Sequence, residues 1–120
     1  MKIAVITGAS SGIGAEFTTC LDKDEQFDEI WVTARRRHRL ESIQARAKVR
    51  VLPMDLTDES SFEEYERLLR EVKPEVAVLV NAGGFGYFGA FEDGSLEEQL
   101  KMIDLNDRAL VAMTYITLEY

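Results

Sequence analysis

The chain has 120 residues, 46% of them hydrophobic, and a formal net charge of −8. That is a globular composition for one domain with a modest core, and its acidic balance excludes a nucleic-acid surface built on excess Lys and Arg. No apolar run approaches the roughly 20 residues that cross a bilayer, so no membrane partner is expected; the single cysteine, Cys20, forms no internal disulfide, which points to a reducing, cytoplasmic setting.

Met1-Lys2-Ile3 enters a first strand, Lys2 to Ile6, at once, which predicts no signal peptide. The turn Thr7-Gly8-Ala9-Ser10-Ser11-Gly12-Ile13-Gly14 follows. A helix is predicted over about Gly12 to Lys23, with Ile13, Phe17 and Leu21 at helical spacing to face the sheet and Cys20 as a small packing residue. A second strand spans Glu29 to Ala34. The basic run Arg35-Arg36-Arg37-His38-Arg39 leads into a short helix through about Ala47, with Leu40 and Ile43 as its apolar positions. A third strand covers Val49 to Met54, with Pro53 near its end, where a missing N–H is tolerable.

Asp55-Leu56-Thr57-Asp58 reads as a turn with Thr57 or Asp58 as helix N-cap. The helix runs to about Val72 behind a stripe of Phe62, Tyr65 (or Glu66), Leu68 and Leu69, and Lys73-Pro74 stops it. Val76 to Val80 is a continuous apolar strand of the sort covered on both faces. A glycine-aromatic loop extends from Asn81 to Gly94. Ser95 and Glu98 form a capping box, and the last helix continues to Tyr120.

Strands alternating with helices predict right-handed crossovers and a parallel sheet; the expected fold is α/β, a Rossmann-type doubly wound sheet with strands ordered 3-2-1-4. Such sheets have about six strands. The present pattern makes only four, so residues 1–120 read as the first portion of a single domain, truncated before its second half. The glycine turn, placed between a buried strand and a helix, is a phosphate-binding proposal. One glycine makes the tight turn, one admits the pyrophosphate to the backbone, and one lets the helix pack on the sheet.

Thr7-Gly-Ala-Ser-Ser-Gly-Ile-Gly14, Asp55-Leu56, Asn81-Ala82-Gly83 and Asn106 occur in this order on matching elements. Together they closely resemble the N-terminal half of the short-chain dehydrogenase/reductase family. The resemblance implies an oxidoreductase that moves hydride between a nicotinamide and a carbonyl or alcohol substrate. It implies that Gly8, Ser10, Ser11, Gly12, Ile13 and Gly14 surround the pyrophosphate and adenosine ribose. Asp55 and Leu56 would meet the adenine, and Asn81, Ala82 and Gly83 would lie beside the riboses. Asn106 would be a catalytic asparagine that kinks the last helix and holds a proton-relaying water. The bland readings stand beside these: Asp55 as a turn residue and Asn81 as a strand-end Asx turn.

An NAD-preferring site places an acid about 20 residues past the glycine motif. Ala34 occupies that position here, followed by Arg35 and Arg36. An uncharged residue followed by arginines removes repulsion of a 2′-phosphate and adds a fork-shaped donor for it. The expected cofactor is therefore NADP(H) rather than NAD(H), with Arg35 as main contact and Ser10 as helper. The basic run would otherwise be a solvated helix start, which the helix dipole disfavours.

The family's Tyr-x-x-x-Lys is absent: Tyr65, Tyr87 and Tyr115 are followed four residues on by Leu69, Phe91 and Glu119. The chain alone is expected to be inactive. His38 is the only histidine, so neither a Ser-His-Asp triad nor a histidine zinc site can be built, and no metal is expected. Asp58-Glu59 and Glu63-Glu64 read as a solvated helix face. Residues 95–120 are apolar on more than one face, as in a helix buried on several sides, and the resemblance implies a homo-oligomer paired through this helix. The alternatives are an inactive dinucleotide-binding or sensor module, an interaction protein that lost the ligand, and, disfavoured by glycine spacing, an epimerase-type relative.

Overall fold

The computed structural model of the chain describes residues 1–10, 12–24, 26–35 and 48–120. The helix expected before Ala47, together with Ser11, Arg36 and His38, lies outside the described residues. The elements are β1 (Lys2–Thr7), α1 (Gly12–Lys23), β2 (Glu29–Ala34), β3 (Lys48–Pro53), α2 (Glu59–Val72), β4 (Glu75–Asn81), α3 (Leu96–Ile103) and α4 (Ala109–Thr117). A 3-10 turn at Phe91–Asp93 precedes α3, and a π-helical turn at Asp104–Arg108 joins α3 to α4. The strands form one parallel sheet in the order β3-β2-β1-β4, the Rossmann-type order expected.

Strand periodicity sorts the core into two layers. Ile3, Val5 and Trp31 face α2 and α4, where they meet Tyr65, Leu69, Ala109 and Met113. Ile6, Ile30 and Val32 turn to the other face, where Leu21 of α1 packs with Phe27, Val49 and Val80. Asp58 caps α2, its side chain accepting from the Ser60 N–H at 3.0 Å. Lys73, in the left-handed region at φ 50°, ends it, its N–H donating to the Leu69 carbonyl at 2.8 Å. The Tyr65 hydroxyl bonds Thr117 Oγ1 at 2.9 Å and so ties α2 to α4.

Two expectations are corrected on α1. Ile13 is 73% exposed and Phe17 43% exposed, and Cys20 is exposed as well. The residues turned to the sheet are Gly14 and Thr18, with Leu21 behind them. The cause is steric. A Cβ at position 14 would fall 2.1 Å from the Gly8 carbonyl oxygen, so only glycine fits there and its contact fixes the rotation of the helix. Successive residues turn by about 100°, which carries Ile13 and Phe17 off the sheet-facing stripe. Sequence spacing alone ranks large residues first and does not register a contact made by an absent side chain.

The last helix is also not continuous: the π turn interrupts it. Only Ala109, Met113 and Thr117 are buried on α4, while Leu110, Val111, Tyr115 and Leu118 are exposed.

A charged cluster closes the sheet at the start of β2. The buried Glu29 carboxylate accepts from Trp31 Nε1 at 2.6 Å and Arg50 Nε at 3.0 Å, and Lys48 Nζ lies 3.5 Å away. Arg50 also stands over the Trp31 ring, 5.1 Å from its centroid. Burial alone would raise the Glu29 pKa, but the hydrogen bonds from Arg50 and Trp31, helped by the charge of Arg50, outweigh it and hold it below 4.5. A depressed folded-state pKa adds stability above the ordinary carboxylate range that is lost as pH falls through the lowered value. Glu29→Gln should cost on the order of 1.5–3 kcal/mol at neutral pH and flatten the loss of stability below pH 4.5, read by urea unfolding across pH. An acid limb as steep as that of the parent would contradict this.

Candidate functional site

The C-terminal ends of the four strands open into a cleft of about 390 Å³. It is lined by Gly8 and Ser10 after β1, Thr33, Ala34 and Arg35 at β2, and Met54 to Thr57 after β3. Ala82 to Phe85 after β4, with Lys101 and Leu105 from α3 and the π turn, complete it. Ligands of open α/β sheets bind at this end of the strands.

The glycine turn is shaped by positive backbone angles, with φ +64° at Gly8 and +60° at Gly12. A Cβ on Gly8 would meet the Ala82 carbonyl oxygen at 2.5 Å, so the turn lies directly against the strand-four loop. A Cβ on Gly12 would meet nothing within 4 Å. Gly12 is therefore uncrowded among the described residues, and it opens α1, whose leading N–H groups have no intrahelical acceptors. These are the features a pyrophosphate needs. The Ala9 N–H donates to the Thr33 carbonyl at 3.2 Å and pins the turn to β2.

The Thr7 hydroxyl had no separate role in the sequence reading, yet it joins the two central loops. Its oxygen accepts from the Ala82 and Gly83 N–H groups at 3.1 and 3.2 Å. Hydroxyl-to-backbone bonds between strands distant in sequence leave no periodic signal. Asn81 directs its side-chain amide to Thr114 Oγ1 of α4 at 3.0 Å and is not among the cleft-lining residues. Asn106, in the π turn, clamps the Phe85 backbone: its Nδ2 donates to the Phe85 carbonyl at 2.8 Å and its Oδ1 accepts from the Phe85 N–H at 2.9 Å. Gly84 leaves room for that clamp, since a Cβ there would fall 2.6 Å from Asn106 Oδ1. Beyond it the aromatic loop is open to solvent, with Phe88 99% and Phe91 77% exposed.

The structure thus brings Gly8, Ser10, Arg35, Asp55, Leu56, Ala82 and Gly83 to one cleft. Gly12, Ile13 and Gly14 form the start of α1 beside it. Ser11 and Arg36 lie outside the described residues. Asp55 is exposed, and its Oδ1 accepts from the Thr57 N–H at 3.0 Å and the Thr57 hydroxyl at 2.7 Å. Those Thr57 bonds hold its carboxyl below the usual range against a smaller opposing effect of burial, and the positive charges of Arg35 and Lys101 add to the lowering. The Leu56 side chain is buried in the core, so the cleft meets this residue at its margin. Tyr65 supplies no proton donor: burial pushes its phenol up to about 12, and Thr117 engages it. Thr33 Oγ1 is buried with no hydrogen-bond partner among the described residues. Those residues include no cluster of His, Cys, Asp and Glu able to hold a metal, and no helix long and apolar enough to cross a membrane.

A doubly wound parallel sheet with a glycine turn at the head of its first helix defines a nucleotide-binding α/β protein. The sequence model of the short chain dehydrogenase family matches residues 2–120, and the chain belongs to that family. It is 34% identical over 124 residues to human Dehydrogenase/reductase SDR family member 7, covering 96% of this chain and 36% of that protein. An alcohol dehydrogenase from the archaeon Thermococcus sibiricus, complexed with 5-hydroxy-NADP, superposes with a TM-score of 0.87 at 32% identity, over 99% of this chain and 52% of that one. A short-chain dehydrogenase from Sphingobium yanoikuyae in complex with NADPH superposes with a TM-score of 0.86 at 28% identity, over 98% and 47%. The chain therefore spans about half the length, or less, of the proteins it is compared with.

Gly14→Ala should destabilise the chain far more than Gly12→Ala. The first puts a methyl 2.1 Å from a carbonyl oxygen, while the second meets only the left-handed backbone penalty of about 1–2 kcal/mol. Thermal melts of the two variants check this, and equal losses would contradict it.

Proposed function

We propose that residues 1–120 are the cofactor-binding portion of an NADP(H)-dependent oxidoreductase acting on a carbonyl or alcohol substrate. The observation that carries the reading is the end of β2, where Ala34 and Arg35 line the same cleft as Gly8 and Ser10. An acid at position 34 would repel a 2′-phosphate. Alanine does not, and Arg35 offers it a charged fork. Gly8, Ser10, Gly12 and Gly14 would hold the pyrophosphate and adenosine ribose by backbone N–H groups, with Ile13 beside them. Ser11 and Arg36 would join them from the undescribed positions.

Asp55 would take the adenine amino group, and Leu56 would close that end. Ala82 and Gly83 would border the riboses, while Asn81 steadies β4 through Thr114. The nicotinamide of the bound cofactor supplies hydride exchange. The chain's part in the reading is to orient and desolvate that cofactor. Asn106 positions the loop at Phe85, and a proton-relaying water would sit near it. The family match and the NADPH and 5-hydroxy-NADP complexes of two neighbours support the cofactor class.

Because Tyr-x-x-x-Lys is absent from these residues, binding without turnover is the expected behaviour of the chain alone. A cytoplasmic setting goes with the single cysteine. Self-association goes with the exposed Leu110, Val111, Tyr115 and Leu118 of the last helical segment. Sedimentation should show a dimer or larger species that weakens with Val111→Lys, whereas a concentration-independent monomer would count against it.

The cofactor reading is tested by fluorescence titration with NADPH and NADH. One charge-assisted contact contributes about 1.5–3 kcal/mol, so NADPH should bind roughly ten- to a hundredfold tighter. Arg35→Ala should remove most of that difference, and neither protein should oxidise NADPH in the presence of a carbonyl. Equal affinities for the two cofactors in the parent chain would sink the NADP(H) assignment.

A further inference from the structure

The cleft holds a cation that neither the glycine turn nor the end of β2 explains. Lys101 stands on α3, four residues before Leu105, and both line the cleft. Residues spaced by four share a helix face, so the placement of Lys101 follows from the helix rather than from a chance rotamer. Among the described residues its ionic partner is Glu97, at 3.2 Å, with both side chains largely exposed. Such a surface pair is weak and yields readily to a better acceptor.

The same cleft presents Asp55. Its Oδ1 is held by Thr57, and among the described residues no hydrogen bond is made to Oδ2. The lysine is close enough for its charge to act on that carboxylate. Met54, Leu105 and Phe85 supply apolar lining around the two. A site with one free acceptor and one cationic donor between apolar walls matches one edge of adenine. There the exocyclic amino group donates and the neighbouring ring nitrogen accepts. A 2′-phosphate would need Lys101 but has no use for Asp55, which would repel it.

Building on the dinucleotide reading above, we propose that Lys101 is a specificity-determining residue for the purine. Its ammonium donates to adenine N1 while Asp55 accepts from the amino group. The cofactor is thus read at two separate places: its phosphate at Arg35 and its base at Lys101 and Asp55.

The test compares Lys101→Met with the parent chain in titrations with NADPH, NADH and the 1,N6-etheno derivative of NADP, whose base edge is blocked. Lys101→Met should weaken NADPH and NADH by the same factor, about tenfold. It should leave the etheno derivative almost unaffected. Glu97→Gln, which breaks the ion pair but keeps the lysine, should stay within about twofold of the parent. Unchanged affinity in Lys101→Met overturns the proposal. So does a loss confined to NADPH, which would place the lysine on the phosphate, and so does an equal loss for the etheno derivative or in Glu97→Gln. A parent chain that binds no dinucleotide removes the reading of the whole cleft; a parent that binds while Lys101→Met is unchanged removes only this role.

Discussion

Three backbone segments meet at the head of α1 with no side chain between them. Gly14 lies on the Gly8 carbonyl, and Gly8 lies on the Ala82 carbonyl. Any Cβ at either glycine would fall within 2.5 Å of a carbonyl oxygen. This stacking sets the rotation of α1, brings the first turn of that helix over β1, and draws the loop after β4 against the turn. The Thr7 hydroxyl holds the same junction from beneath by accepting the Ala82 and Gly83 N–H groups.

Charge is arranged locally against the balance of the whole molecule. The chain carries a net charge of −8, yet among the described residues its cleft is lined by Arg35 and Lys101 with Asp55 as the one acid. An acidic protein whose cleft carries two cations draws an anion to that place and to few others. The other conspicuous cluster, Glu29 with Trp31, Lys48 and Arg50, sits at the start of β2 and β3, at the far end of the strands from the cleft. Its role is to close the sheet there. The π turn places Asn106 so that both side-chain polar atoms bind the Phe85 backbone, which fixes the start of the aromatic loop relative to the cleft.

Much of this was legible in the sequence. The parallel sheet followed from alternation, the α2 stripe of Tyr65 and Leu69 followed from periodicity, and Ser95 capped α3 as its spacing to Glu98 required. Several residues gathered in the cleft were marked by glycine spacing, by Asp55-Leu56 and by the Ala82 and Gly83 of Asn-Ala-Gly. What spacing missed was set by contact geometry. Ile13 and Phe17 looked like core because they are large, but Gly14 decides which side of α1 faces inward. Thr7 opens the glycine motif without a role of its own and Lys101 belongs to no motif; their placement follows from bringing β1, β4 and α3 together. The amide of Asn81 reaches Thr114, 33 residues away, a pairing that no local pattern encodes.

The central claim is that the cleft over the strand ends holds a dinucleotide. The most direct measurement is a map of backbone amide shifts as NADPH is added to the isotopically labelled chain. The account requires the largest shifts at Gly8 to Gly14, at Arg35, at Asp55 to Thr57 and at Ala82 to Phe85, with Lys101 and Leu105 moving as well. Saturating NADPH that leaves these amides unchanged, or moves instead those of Val111, Tyr115 and Leu118, would contradict it.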